Sequence, residues 1–166
     1  MRDFRDLEDG DNVPGMSEEL SNTLESIVNN AFSTVLALDP ILNPAAMVVS
    51  RGQPYLTSTI QITGAWKGVV SISVPVELGV QIAAIMFEED PDCIDSDDLE
   101  DALGEISNIV SGSFKSTRDG ICHLGLPVVT QGIDYVVRFP GSHISCDVGF
   151  EVADHCFHVT LIEADA

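Results

Sequence analysis

Positive charge is scarce in this sequence: seven Lys and Arg stand against 27 Asp and Glu in 166 residues, a formal net charge of −20. Such a chain repels phosphates and anionic lipid instead of releasing counterions from them, which excludes nucleic acid and bare membrane as partners. Long apolar runs are also missing. The longest stretches, such as GVQIAAIMF (Gly79 to Phe87), fall far short of the roughly 20 residues that a membrane-spanning helix needs. The opening MRDFRDLEDGDNVPGMSEE has no apolar core of the kind an export signal carries, so a cytoplasmic location is expected. Cys93, Cys122, Cys146 and Cys156 form no CxxC pair, which points to reduced thiols and not to a disulfide framework. There is no glycine-rich phosphate loop, no GxSxG elbow, no HExxH and no dinucleotide fingerprint. The familiar self-contained catalytic machineries are therefore excluded.

What is present is enough apolar material for one folded domain. Hydrophobic residues make up 45% of the chain, too many for a disordered protein of this length. Residues 1–15 are acidic and turn-rich and read as a flexible tail, leaving 16–166 as the domain. Ser17 is placed to cap a long amphipathic helix in which Leu20, Leu24, Ile27, Val28, Ala31, Phe32, Val35 and Leu36 recur at helical spacing. Strand-like runs follow near Ala46 to Arg51, Tyr55 to Thr63 and Trp66 to Val76, then a short helix near Glu77 to Phe87. The second half restarts with a helix from about Asp95 to Thr117. Further strand-like runs follow at Cys122 to Gln131, Ile133 to Pro140, His143 to Val152 and Cys156 to Ala164. This order predicts an α+β fold of two pseudo-repeated helix and strand halves, with a mostly antiparallel sheet and two long helices packed on one face of it.

Two sequence features invite a chemical reading. In HISC (143–146) and HCFH (155–158) a metal would find nitrogen and sulfur ligands if the strands met, but the alternation of Cys156, His158 and Thr160 with Phe157, Val159 and Leu161 fits the two faces of an ordinary strand. No metal site is assigned. The second feature is the helix DLEDALGEISNIVSGSFKSTRDG. At about 100° per residue Leu99, Leu103, Ile106, Val110, Ser113, Phe114 and Thr117 share a core face, while Asp101, Glu105, Asn108, Gly112 and Lys115 fall on the other. With no bulk at Gly104, Ser111 and Gly112, another protein could approach this outward ridge closely. The run EEDPDCIDSDDLED (Glu88 to Asp101) places anions at the start of the same helix, where they favour its N-terminus. It would also steer a basic partner.

An acidic or hydroxyl residue, then three residues, Glu, two residues, Asn, and later a Pro is here Asp101, Glu105, Asn108 and Pro127. In this motif, and in GEISNIVSG, LGLPVVTQG and GAWKGVVSISVPVELGVQIAAIMF, the chain resembles the CheC/CheX family of chemotaxis phosphatases across residues 17–162. The resemblance implies a phosphatase acting on the aspartyl phosphate of a CheY-type response regulator. Glu105 and Asn108 would be catalytic, with Asp101, Gly104, Gly112 and Pro127 in the motif or the docking surface. Asn108 would orient the attacking water and Glu105 would pair with the regulator's lysine. No cofactor of its own is expected, because the Mg²⁺ belongs to the phosphorylated regulator. In SNTLESIVNN, Ser21 and Glu25 keep the spacing, but Val28 stands where Asn is needed. The likeness is therefore to the single-motif CheX branch, whose members pair as homodimers. A non-catalytic domain that binds receiver domains in a signalling or flagellar complex is the alternative reading.

Overall fold

The computed structural model describes residues 14–47 and 51–166. Helix α1 (Pro14–Leu36) opens on a proline, whose missing N–H costs nothing at the first helical position. Ser17 therefore lies inside the helix and not at its start, and Pro14 and Gly15 belong to the helix and not to the tail. Residues 1–13 of that expected tail lie outside the described residues. A two-residue strand, β1 (Ile41–Leu42), is followed by a 3-10 turn at Pro44–Met47, which takes in Ala46 and Met47 of the strand expected over Ala46 to Arg51. Asn43 is responsible: its Oδ1 accepts from the Ala45 N–H at 3.0 Å and its backbone carbonyl from the Ala46 N–H at 2.9 Å, so the chain curls. Residues 48–50 of the expected strand lie outside the described residues.

Strands β2 (Pro54–Gly64) and β3 (Gly68–Pro75) form a hairpin, helix α2 (Val76–Phe87) follows, and helix α3 spans Ser96–Ser116. Asp95 caps α3 through a reciprocal box, in which its Oδ1 accepts from the Asp98 N–H and Asp98 Oδ2 accepts from the Asp95 N–H, both at 3.0 Å. The remaining strands are β4 (Cys122–Leu124), β5 (Val128–Ile133), β6 (Ser142–Val152) and β7 (His155–Ala164). The run expected as one strand from Cys122 to Gln131 is thus two, because Pro127 has no N–H to give to the ladder. The backbone leaves the sheet between them, with only the Gly125 N–H still reaching Gln61 O, at 2.7 Å. Of the strand expected over Ile133 to Pro140, only Ile133 is in a strand, as the last residue of β5. Asp134 takes a left-handed conformation, accepts from the Gly52 N–H at 3.0 Å, and sends the chain across the sheet, where the Tyr135 hydroxyl meets Thr57 Oγ1 at 2.5 Å.

All strand pairs are antiparallel, in the order β1-β6-β7-β3-β2-β4, with β5 sharing the outer edge of β2 with β4. Each half contributes a long helix, short edge pairing (β1 in the first half, β4 and β5 in the second) and a hairpin, and the short strands pair with the hairpin of the other half. The fold is α+β with a pseudo-twofold axis between β3 and β7. Alternation sends Leu56, Val70, Ile72, Val74, Val148, Phe150, Phe157, Val159 and Leu161 to one face, where the helices cover them. Phe32 of α1 stacks on Phe157 with ring centroids 4.9 Å apart, and Phe114 of α3 meets the edge of Trp66 at 5.1 Å. These ring contacts fix both long helices to the sheet, and truncating Phe114 to Ala would cost about 3 to 5 kcal/mol.

Candidate functional site

The inner face of α3 is set by Leu99, Ala102, Leu103, Ile106, Val110 and Phe114, all buried. That anchoring fixes what the outer face presents. Asp101 and Glu105 are exposed, and Asn108, one turn beyond Glu105, is half-buried. The α3 ridge forms one wall of a solvent-open cleft of about 370 Å³, lined by Met86, Phe87, Glu100, Asp101, Gly104, Glu105, Asn108 and Pro127. The other walls are the last turn of α2 and the break between β4 and β5. The structure thus brings five of the six sequence-predicted residues to one place.

The small residues have a different use from the one expected. Gly104 is buried, and a Cβ built on it would lie 3.4 Å from Pro127 Cγ, so its bareness lets the β4–β5 break close on the helix. Ser111 is fully buried and faces inward, so it forms no part of an outer ridge. Gly112 is outside the cleft, where a Cβ would make only ordinary contact, 3.8 Å from Leu124 Cδ1. Thr117 is not on the core face either; it is exposed at the end of the helix, its hydroxyl donating to Phe114 O at 2.7 Å.

Met86, Phe87 and Glu100 were not singled out from the sequence. The short acidic linker between α2 and α3 was a usable signal, since it returns the end of α2 to the first turns of α3. Periodicity carries no information about how two helices cross.

Among the described residues, the first long helix offers no equivalent pair. Val28 is completely buried in the core, and Asn29 is half-buried with its Oδ1 enclosed and without a partner among the described residues. The histidines and cysteines of the C-terminal strands are also dispersed. Cys146 faces the core, where burial, with a further push from Asp147, raises its thiol to about 11. His143 meets Asp165 at 2.8 Å on the surface, and His155 lies 3.1 Å from Gln81 Nε2. Burial holds His158 below its ordinary range, with Asp147 opposing that shift. No group of three or more His, Cys, Asp or Glu gathers among the described residues. A second cleft, of about 270 Å³, lies between the Phe139–Ser142 segment and the sheet, but Lys67 is its only charged group. Of these two clefts, the one at α3 sets carboxylates that can meet a cation beside an amide that can hold a water.

A family model described as chemotaxis phosphatase CheX matches residues 56–151, a segment that contains every residue lining the cleft. The chain belongs to the CheX family. No curated protein matches the sequence. Among solved structures it is similar to the chemotaxis protein CheX from Vibrio vulnificus, at 22% identity over 87% of this chain and 97% of that one, with a TM-score of 0.71. It is also similar to a chain of the CheX-CheY-BeF3-Mg²⁺ complex from Borrelia burgdorferi, at 15% identity over 87% of this chain and 97% of that one, with a TM-score of 0.59. FliY from Thermotoga maritima matches 92% of this chain over 91% of its own, at 12% identity and a TM-score of 0.63. At these identities the likeness is one of fold.

Proposed function

We propose that the chain dephosphorylates the aspartyl phosphate of a CheY-type response regulator at the α3 cleft, with Asn108 orienting the attacking water and Glu105 docking the regulator. The observation that carries this reading is the placing of Glu105 and Asn108 one turn apart, on a helix fixed by its buried face, inside a cleft open to solvent. An amide offers both a donor and an acceptor, so Asn108 can grip a water without ionising and aim its oxygen at phosphorus. The P–O bond to the aspartate then breaks, leaving a free carboxylate and inorganic phosphate. Glu105, exposed at the rim, would make a charge-assisted contact with a lysine of the regulator and set the angle of approach. The residues lining the cleft include no Ser, Thr or Cys. Mg²⁺ and most of the charge stabilisation come with the substrate protein. The structure of a family member in complex with CheY supports this choice of partner.

Phosphate release from a phosphorylated receiver domain, timed with and without the chain, tests the reading. The chain should accelerate release, and chelating Mg²⁺ should stop the reaction. Unchanged decay across CheY-type receivers would contradict it and would favour a domain that only binds.

We also propose a homodimer. The outer edge of β5 pairs with no strand among the described residues, and Val128 and Ile133 along it are 61% and 57% exposed. An open apolar edge of this kind is covered in most proteins. Light scattering should give twice the chain mass at micromolar concentration, and Val128→Lys should shift it toward the monomer.

A further inference from the structure

We propose that Phe87, at the end of α2, is a specificity-determining residue that selects regulators carrying an apolar side chain beside a phosphorylation site rimmed with Lys or Arg. This rests on reading the cleft as the receiver-domain site.

Phe87 is 40% exposed, a large aromatic ring directly followed by a run of carboxylates, and it lines the same cleft as Asn108 and Glu105. The backbone holds it there. Glu88 adopts a left-handed conformation with φ 54°, and the Glu88 and Glu89 N–H groups close on the carbonyls of Ile85 and Ala84 at 3.4 and 3.1 Å. The helix therefore stops directly after Phe87, at a position where glycine is the usual residue. A fixed, half-exposed aromatic surrounded by polar groups is the arrangement that carries binding energy in protein interfaces. Met86 beside it packs on the core.

Charge identifies the rest of the partner's face. Glu88, Glu89, Asp90, Asp92, Asp95, Asp97, Glu100, Asp101 and Glu105 are all exposed around or leading to the cleft, and no Lys or Arg occurs between Lys67 and Lys115. None of these nine carboxylates has an ion-pair partner among the described residues. A phosphorylated domain with an acidic surface would be repelled. One that surrounds its phosphoaspartate with cations would be steered in.

The test is titration of a beryllofluoride-loaded receiver domain with such a basic rim, together with steady-state phosphatase kinetics. Phe87→Ala should weaken Kd and raise KM by roughly tenfold or more, as loss of an interface anchor does, while kcat stays within about twofold. Phe87→Leu should restore most of the affinity, and added NaCl should weaken binding of every variant. Asn108→Ala should do the reverse, lowering kcat at unchanged Kd. Parent-like Kd and KM in Phe87→Ala would overturn the proposal while leaving the Asn108 mechanism standing. So would a Phe87→Ala chain that binds normally but fails to dimerise. Phe87-dependent binding without hydrolysis would sink the phosphatase reading and keep the docking role. If no receiver domain binds at all, both fall.

Discussion

Helices α1 and α3 hold equivalent places in the two halves of the sheet, yet they present opposite groups at the equivalent turn. Ser21, Glu25 and Val28 on α1 repeat the spacing of Asp101, Glu105 and Asn108 on α3. Pro40 precedes β1 as Pro127 precedes β5. At the third position, however, Val28 is sealed in the core and Asn108 opens on a cleft. The nearest amide on α1, Asn29, is one residue and about 100° away. A further difference lies in the neighbours: α3 has the end of α2 brought against it by the acidic linker. A motif spacing can serve as a site only where a second and a third element supply walls, and among the described residues such walls stand around the α3 motif.

The comparison can be broken or sharpened by substitution on either helix. The largest effect is expected at Asn108, where Ala should leave stability within about 0.5 kcal/mol of the parent and lower turnover by roughly a hundredfold. Val28→Asn, which writes the missing residue into α1, should create no activity. It should destabilise the fold by about 2 to 3 kcal/mol in a denaturant titration, because the amide enters a core with no partner to receive it. Glu105→Ala should reduce both binding and turnover by roughly tenfold, the worth of one charge-assisted contact. Glu25→Ala and Asn29→Ala should change turnover imperceptibly and stability by no more than about 0.5 kcal/mol. Activity that depended on Glu25 would mean that the first half carries a working site after all.

Much of this was legible in the sequence where periodicity and capping speak locally. The buried positions Leu99, Leu103, Ile106, Val110 and Phe114 of α3, its Asp95 start, the β2–β3 hairpin and the final two strands follow from spacing and turn residues alone, whereas Thr117, expected on the same face, is exposed. The grouping of Asp101, Glu105 and Asn108 follows from helical geometry. Two departures have readable reasons: Asn43 turns the chain at Pro44, so that Ala46 and Met47 of one expected strand lie in a 3-10 turn, and Asp134 sends the chain across the sheet where another strand was expected. Pro127 broke a third run, and that break is what carries Pro127 onto Gly104. The inward turn of Ser111 and the arrival of Phe87 were not legible, because both depend on how helices cross and not on any pattern within one of them.

The most direct measurement is the decay of aspartyl phosphate on a receiver domain held in Mg²⁺ with the chain in excess, run in parallel for the parent and Asn108→Ala, with binding to the beryllofluoride-loaded domain checked for both. The cleft chemistry predicts that both chains bind alike, that the parent speeds decay, and that Asn108→Ala leaves it near the spontaneous rate. An Asn108→Ala chain that keeps pace with the parent would contradict the proposal that this amide orients the attacking water.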